Sequence, residues 1–205
     1  MTRTLLTVPM KAPSASKTRL AACLSHAERI DLVCLLYQRT LQFLERARPR
    51  LKADLSVVTR SAVAADMARA HGCCVIDEPR GADLSGAVSC AADYATAAGY
   101  DRLCVLPADL GTPEVDDLVD LLQSPAAVAI CPSEDHGTNA LVVSPPHAIA
   151  FRYGAHSAQR HLVEARSRGL SVDLKPLNSL AYDIDTAVCL DRARVCVPGV
   201  AQLCP

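Results

Sequence analysis

The sequence predicts an α/β fold: a three-layer α/β/α sandwich on a mostly parallel central sheet. Two observations predict it. Short apolar runs alternate with longer amphipathic stretches along the chain, the order produced when helices cross between parallel strands. Aromatics make up only 3% of the 205 residues, with no Trp, so Ala, Leu and Val must fill the interior. That inventory suits helices packed on a sheet better than an aromatic-rich sandwich.

Residues 4–8 read as the first strand and 9–16 as a polar loop. Ser25-His26-Ala27-Glu28 is a capping box, and the helix it opens carries Ile30, Val33, Cys34, Tyr37, Leu41 and Leu44 at helical spacing. Residues 55–59 read as a buried strand. Residues 62–71 form a short helix stopped by Gly72, and 73–76 the next strand. After a loop at 77–83 a helix runs to about residue 98, stopped by Gly99. Residues 102–106 are a strand ending at Pro107-Ala108-Asp109. Thr112 is expected to cap a helix with Pro113 in its first turn, running to about residue 122. Residues 127–131 and 140–144 are strands around a polar loop and can add an antiparallel element. Residues 157–168 are a helix stopped by Gly169, with Ser157 at its N-terminus. Residues 170–175 are a strand, and 181–186 lead into a last short helix. Without repeat, linker or low-complexity segment, residues 1–205 are expected to form one domain. Right-handed crossovers place the loops after the strand C-termini along one edge, where ligands bind.

A net charge of −1 argues against a general nucleic-acid or membrane-surface binder. The charges are nevertheless segregated. Residues 1–27 carry Arg3, Lys11, Lys17 and Arg19 and no acid, whereas residues 103–151 carry seven acids and no Lys or Arg. Separate clusters of this kind suit a polyanion and a divalent metal. No signal peptide is legible, because the apolar stretch at 5–8 is short and ends at Pro9. No run approaches the length of a membrane span. The ten Cys contain no C-x-x-C pair and read as small core hydrophobes in a reducing cytoplasm.

Four segments carry chemistry. The loop from Pro9-Met10-Lys11 to Lys17-Thr18-Arg19 follows the first strand and holds three cations in nine residues, fit to neutralise a triphosphate. It contains no Gly, so it is neither a P-loop nor a dinucleotide fingerprint. Leu106-Pro107-Ala108-Asp109-Leu110 delivers one Asp at the end of a buried strand, a position suited to a magnesium ligand. Thr112 is taken as the cap of the helix that follows. In Asp183-Ile184-Asp185, alternation puts both acids on one side of an extended segment; one or both can supply a second metal carboxylate, and Asp185 or Thr186 can equally cap the last helix. Finally, Gly137-Thr138-Asn139-Ala140-Leu141 and Phe151-Arg152-Tyr153-Gly154 precede Ser157 and His161. There Gly154 permits close backbone approach, and free N–H groups at a helix start favour an anion.

Together, in this order from residue 8 to 186, these segments resemble the 2-phospho-L-lactate/phosphoenolpyruvate guanylyltransferases of coenzyme F-420 biosynthesis. The resemblance implies the nucleotide-diphospho-sugar transferase-like fold shared with molybdopterin nucleotidyltransferases. It also implies GTP as co-substrate and magnesium as cofactor. By resemblance, Pro9, Met10, Lys11, Lys17, Leu84, Ser85, Pro107 and Ala108 contact the nucleotide, and Thr138, Asn139, Gly154, Ser157 and His161 the phosphorylated acid. Asp109, Asp183 and Asp185 are the metal candidates, and Lys17, Arg19 and Asp109 the catalytic ones. Ser85 stands where the family pattern has Asn, a departure that touches base selectivity.

The expected reaction transfers GMP from GTP to phosphoenolpyruvate, 2-phospho-L-lactate or 3-phosphoglycerate, with release of pyrophosphate. The expected partners are these small molecules, with no nucleic acid and no membrane, in a monomer or homodimer. The alternatives at this stage are a sugar-phosphate or molybdopterin nucleotidyltransferase, whose Gly-rich first loop is missing here, and a non-catalytic nucleotide-binding protein of the same fold.

Overall fold

The structure, a computed structural model, describes residues 2–203. Strand β1 (Thr4–Pro9) leads through the cationic loop into α1 (His26–Leu51). The capping box is formed: Ser25 accepts from the Glu28 N–H, and the Glu28 side chain accepts from the Ser25 N–H. Then follow β2 (Ala53–Thr59), α2 (Ala62–Ala70), β3 (Cys74–Asp77), α3 (Leu84–Ala97), β4 (Arg102–Val105), α4 (Val115–Leu122), β5 (Val128–Pro132) and β6 (Thr138–Val143). The chain continues through α5 (Ser157–Ser167), β7 (Val172–Leu174), α6 (Asn178–Ala181), α7 (Ala187–Cys196) and α8 (Val200–Leu203).

One seven-stranded sheet results, in the order β3-β2-β1-β4-β6-β5-β7. Every pairing is parallel except the two that β6 makes with β4 and β5. Period-two alternation splits the strand side chains between two cores. Leu6, Cys104, Leu106, Ala129 and Val142 face α1, α2 and α4, whereas Leu5, Leu103, Val105, Ile130 and Val143 face α3 and α5. The three-layer sandwich is therefore present. Among the described residues no helix is long and apolar enough to cross a membrane.

One expected helix start is corrected. Thr112 does not cap α4. The N-cap is Glu114, whose own N–H is met by the Ser179 hydroxyl at 3.0 Å, so α6 supports this end in place of a capping side chain. The start of α5 at Ser157 is as expected, and His156, in left-handed conformation, precedes it as the N-cap.

A third, smaller core brings the chain ends together. Leu20 and Leu24 from the first loop, Leu32 and Leu36 of α1, and Leu190, Ala193, Val197 and Val200 near the C-terminus enclose Tyr182 and Ile184. This burial fixes the phase of the segment between α6 and α7. With Tyr182 and Ile184 turned inward, Asp183 and Asp185 turn the other way.

Candidate active site

The loops after β1, β3 and β4 leave the same rim of the sheet. Because β6 runs opposite to its neighbours, its first residues, Thr138 and Asn139, reach that rim as well. Between them lies a cleft of about 530 Å³. Of the residues singled out from the sequence, Pro9, Met10, Lys11, Lys17, Arg19, Leu84, Pro107, Ala108, Asp109, Thr138, Asn139 and Asp185 line it. Ser85, Gly154, Ser157, His161 and Asp183 do not.

At the centre Lys17 is buried, and its ammonium donates a hydrogen bond to Asp109 and lies 3.6 Å from Asp185. Burial alone would lower the Lys17 pKa. The Asp109 charge and hydrogen bond, then Asp185 and Asp183, outweigh it and hold the pKa above the ordinary value. Lys17 also adopts a left-handed backbone (φ 55), unfavourable for a residue with a Cβ and a form of strain that clusters at functional sites. Arg19 extends the network, 3.1 Å from Asp185 and 3.8 Å from Asp135.

The acids are held by the backbone as well. Thr40 of α1 donates to the Ala108 carbonyl at 3.1 Å. Leu110 and Asp183 form an antiparallel bridge, Gly111 N–H donates to Tyr182 O at 3.0 Å, and Ile184 N–H to Asp109 O at 3.3 Å. Asp183 accepts from Asn139 at 3.2 Å; burial first, then the Asp109 charge, pushes its pKa up to about 6. The sequence reading pairs Asp109 with Asp183, Asp185 or both; among the described residues no group of three or more His, Cys, Asp or Glu is arranged to hold a metal, and Asp183 does not line the cleft. What remains is a pair, Asp109 and Asp185, converging on one point now held by the Lys17 ammonium. Two carboxylates around a seat for positive charge fit magnesium, which takes one or two carboxylates and completes its shell with water and phosphate.

His161 is the largest departure from expectation, because it is fully buried. The Arg152 N–H donates to its Nε2 at 2.9 Å. That nitrogen is therefore unprotonated, the proton sits on Nδ1, and Nδ1 donates to the Thr138 hydroxyl 3.0 Å away. Thr138 keeps its own hydrogen for an acceptor in the cleft. His161 thus reaches the cleft only through Thr138, and it also pins the loop before Gly154. The neighbouring Tyr153 N–H is held by the Ser85 hydroxyl at 3.0 Å, which gives Ser85 a loop-holding contact. Gly154 is needed for its φ of 112°, with open space beside it.

Burial, then the Arg160 and Arg152 charges, lowers the His161 pKa to about 4. A depressed folded pKa means that stability is present above the unfolded value near 6.5 and is lost as pH falls toward 4. Native protein should therefore lose about 2 kcal/mol more unfolding free energy than His161→Gln between pH 7 and pH 5. Denaturant titrations at the two pH values measure this, and equal losses in both proteins would refute it.

Glu78, which lines the cleft, was given no role by the sequence reading. Glu78 directly follows β3, the position at which Asp109's loop leaves β4, and that placement was the available signal.

Residues 4–196 match the family described as "Guanylyl transferase CofC like". The chain belongs to this family. It is 35% identical over 187 residues to a 3-phospho-D-glycerate guanylyltransferase of Colwellia psychrerythraea, covering 90% of this chain and 88% of that one. It is 37% identical over 193 residues to a phosphoenolpyruvate guanylyltransferase of Sphaerobacter thermophilus, covering 92% and 91%. A 2-phospho-L-lactate guanylyltransferase of Methanothermobacter thermautotrophicus is 32% identical over 188 residues, covering 90% and 81%. Among solved structures, one described as a nucleotide-diphospho-sugar transferase from Desulfovibrio desulfuricans G20 superposes with a TM-score of 0.75 at 23% identity, covering 99% of this chain and 94% of that one. A nucleotidyl transferase from Methanothermobacter superposes with a TM-score of 0.65 at 14% identity, covering 94% and 96%. These two establish the shared fold. Membership in the CofC-like family makes the chain a guanylyltransferase, not a sugar-phosphate or molybdopterin nucleotidyltransferase.

Proposed function

We propose that the protein transfers GMP from GTP to a small phosphorylated carboxylic acid in the cytoplasm, in the biosynthesis of coenzyme F-420, as one domain spanning residues 1–205. The observation that carries this reading is the cluster of Lys17, Arg19, Asp109 and Asp185 at one point of the cleft, between the nucleotide loop and Thr138.

An oxygen of the acceptor's phosphate attacks the α-phosphorus of GTP. The bond to the bridging oxygen breaks, and pyrophosphate leaves with its electron pair. The nucleophile is already anionic, so no strong general base is required. Lys17 and Arg19 neutralise charge on the α- and β-phosphates as the leaving group departs. Magnesium, held by Asp109 and Asp185, supplies Lewis-acid polarisation and charge neutralisation when bound. Thr138, its oxygen already accepting from His161, donates to the acceptor's anionic group.

The relatives named above act on three different acids, so the acceptor is assigned by assay. Purified protein with magnesium, each of four NTPs and each of the three acids is monitored for pyrophosphate. The expected result is release with GTP and one or more acids. Absence of release from GTP with all three would overturn the reading.

A further inference from the structure

We propose that Glu78 selects guanine, its carboxylate accepting hydrogen bonds from N1–H and the exocyclic N2 amine of the base. The inference rests on the guanylyl transfer proposed above and assigns its base subsite.

Glu78 lines the cleft, half-buried, immediately after β3. Among the described residues no hydrogen bond or ion pair engages its carboxylate. Burial raises its pKa, against the opposing charges of Lys11 and Arg60, which approach from the ends of β1 and β2. A half-buried carboxylate without a partner carries a desolvation cost that a ligand with matched donors can relieve.

The sheet itself measures where this acid stands. From β3 to β4 are three strand intervals, about 14 Å at the usual spacing. Asp109 and the Lys17 cluster lie past the end of β4, and Thr138 lies one strand further on. With the reacting phosphates at the Lys17 cluster, Glu78 is at the opposite end of the nucleotide, a distance that a nucleoside and its first phosphates span. Leu84 and Ala87, one turn apart on α3 and also lining the cleft, give that end an apolar wall for a flat base. Of the four common bases, guanine alone presents two adjacent donors, N1–H and N2, on its Watson–Crick edge. An ionised carboxylate, which offers only acceptors, matches that edge in bidentate fashion and leaves adenine's N1 lone pair facing negative charge.

The test uses the full chain with magnesium and the best acceptor acid, comparing kcat/KM for GTP, ITP and ATP in native protein and in Glu78→Gln and Glu78→Asp. ITP keeps N1–H and lacks the N2 amine. Native protein should prefer GTP over ITP by about 10-fold or more, and over ATP by a larger factor. Glu78→Gln is isosteric and places an amide donor where an acceptor is needed. It should bring GTP and ITP within about 3-fold of each other, with the KM of the acid unchanged. Glu78→Asp should retain part of the preference. Unchanged GTP:ITP:ATP ratios in Glu78→Gln would overturn the assignment, whether GTP turnover stays native or all three fall equally. Native protein that turns over ITP and GTP alike would overturn it too. Absence of any GTP turnover in native protein instead defeats the parent reading.

Discussion

Lys17→Ala should lower turnover by about 10²- to 10³-fold at saturating GTP, magnesium and acid, equivalent to about 3–4 kcal/mol of transition-state stabilisation. The size follows from placement. The ammonium is buried, fixed by Asp109 and Asp185, and held in a backbone conformation that ordinary side chains avoid. Such a group is already oriented when charge moves onto the departing pyrophosphate, and water in the vacated space must reorganise to do the same. Lys17→Arg should also be impaired, since a planar guanidinium does not fit a seat shaped for a compact ammonium. Steady-state pyrophosphate release measures the effect, with the thermal midpoint reporting any loss of folded protein. A folded Lys17→Ala protein within about 3-fold of native turnover removes Lys17 from the chemistry.

Gly111→Ala should have a comparable effect by a different route. A Cβ at this position would lie 2.3 Å from Cε1 and 2.4 Å from Cδ1 of Tyr182. The Tyr182 ring cannot withdraw, because it is 1% exposed, its hydroxyl donates to Cys189 O at 2.7 Å, and Arg192 stacks over its face at 3.9 Å. Overpacking of this kind costs on the order of 3 kcal/mol. The same displacement shifts the backbone that carries Asp183 and Asp185, so kcat should fall along with stability. Denaturant unfolding and the pyrophosphate assay measure the two losses. Native stability together with native kcat would contradict the packing described here.

The fold was legible because two periodicities were clean. Runs such as Leu103-Cys104-Val105-Leu106 are buried on both faces, and the spacing of Val33, Tyr37, Leu41 and Leu44 is that of a helix lying on the sheet. Much of the cleft was legible for a related reason: Lys17, Arg19 and Asp109 follow strands whose C-terminal ends share one rim. Depth was what escaped. His161 was assigned to the phosphorylated acid, yet Ala158, His161 and Ala165 form one buried stripe, and the small alanines flanking the imidazole mark an inward-facing row. The start of α4 was misread because its support comes from Ser179, 65 residues away in sequence, and no local pattern reports a partner so distant. Glu78 escaped because a single acid after a short strand looks like any loop residue until the sheet order places it on the rim.

The third core joins two parts of opposite charge. Leu20 lies directly after the cationic loop, Tyr182 and Ile184 flank the acids, and both are clamped by α7 and α8. Residues near the C-terminus therefore hold the cationic loop and the acidic segment in one packed unit. A packing change in that tail would therefore shift the loop bearing Lys17 and Arg19 and the segment bearing Asp183 and Asp185 together, although the tail itself lies outside the cleft lining.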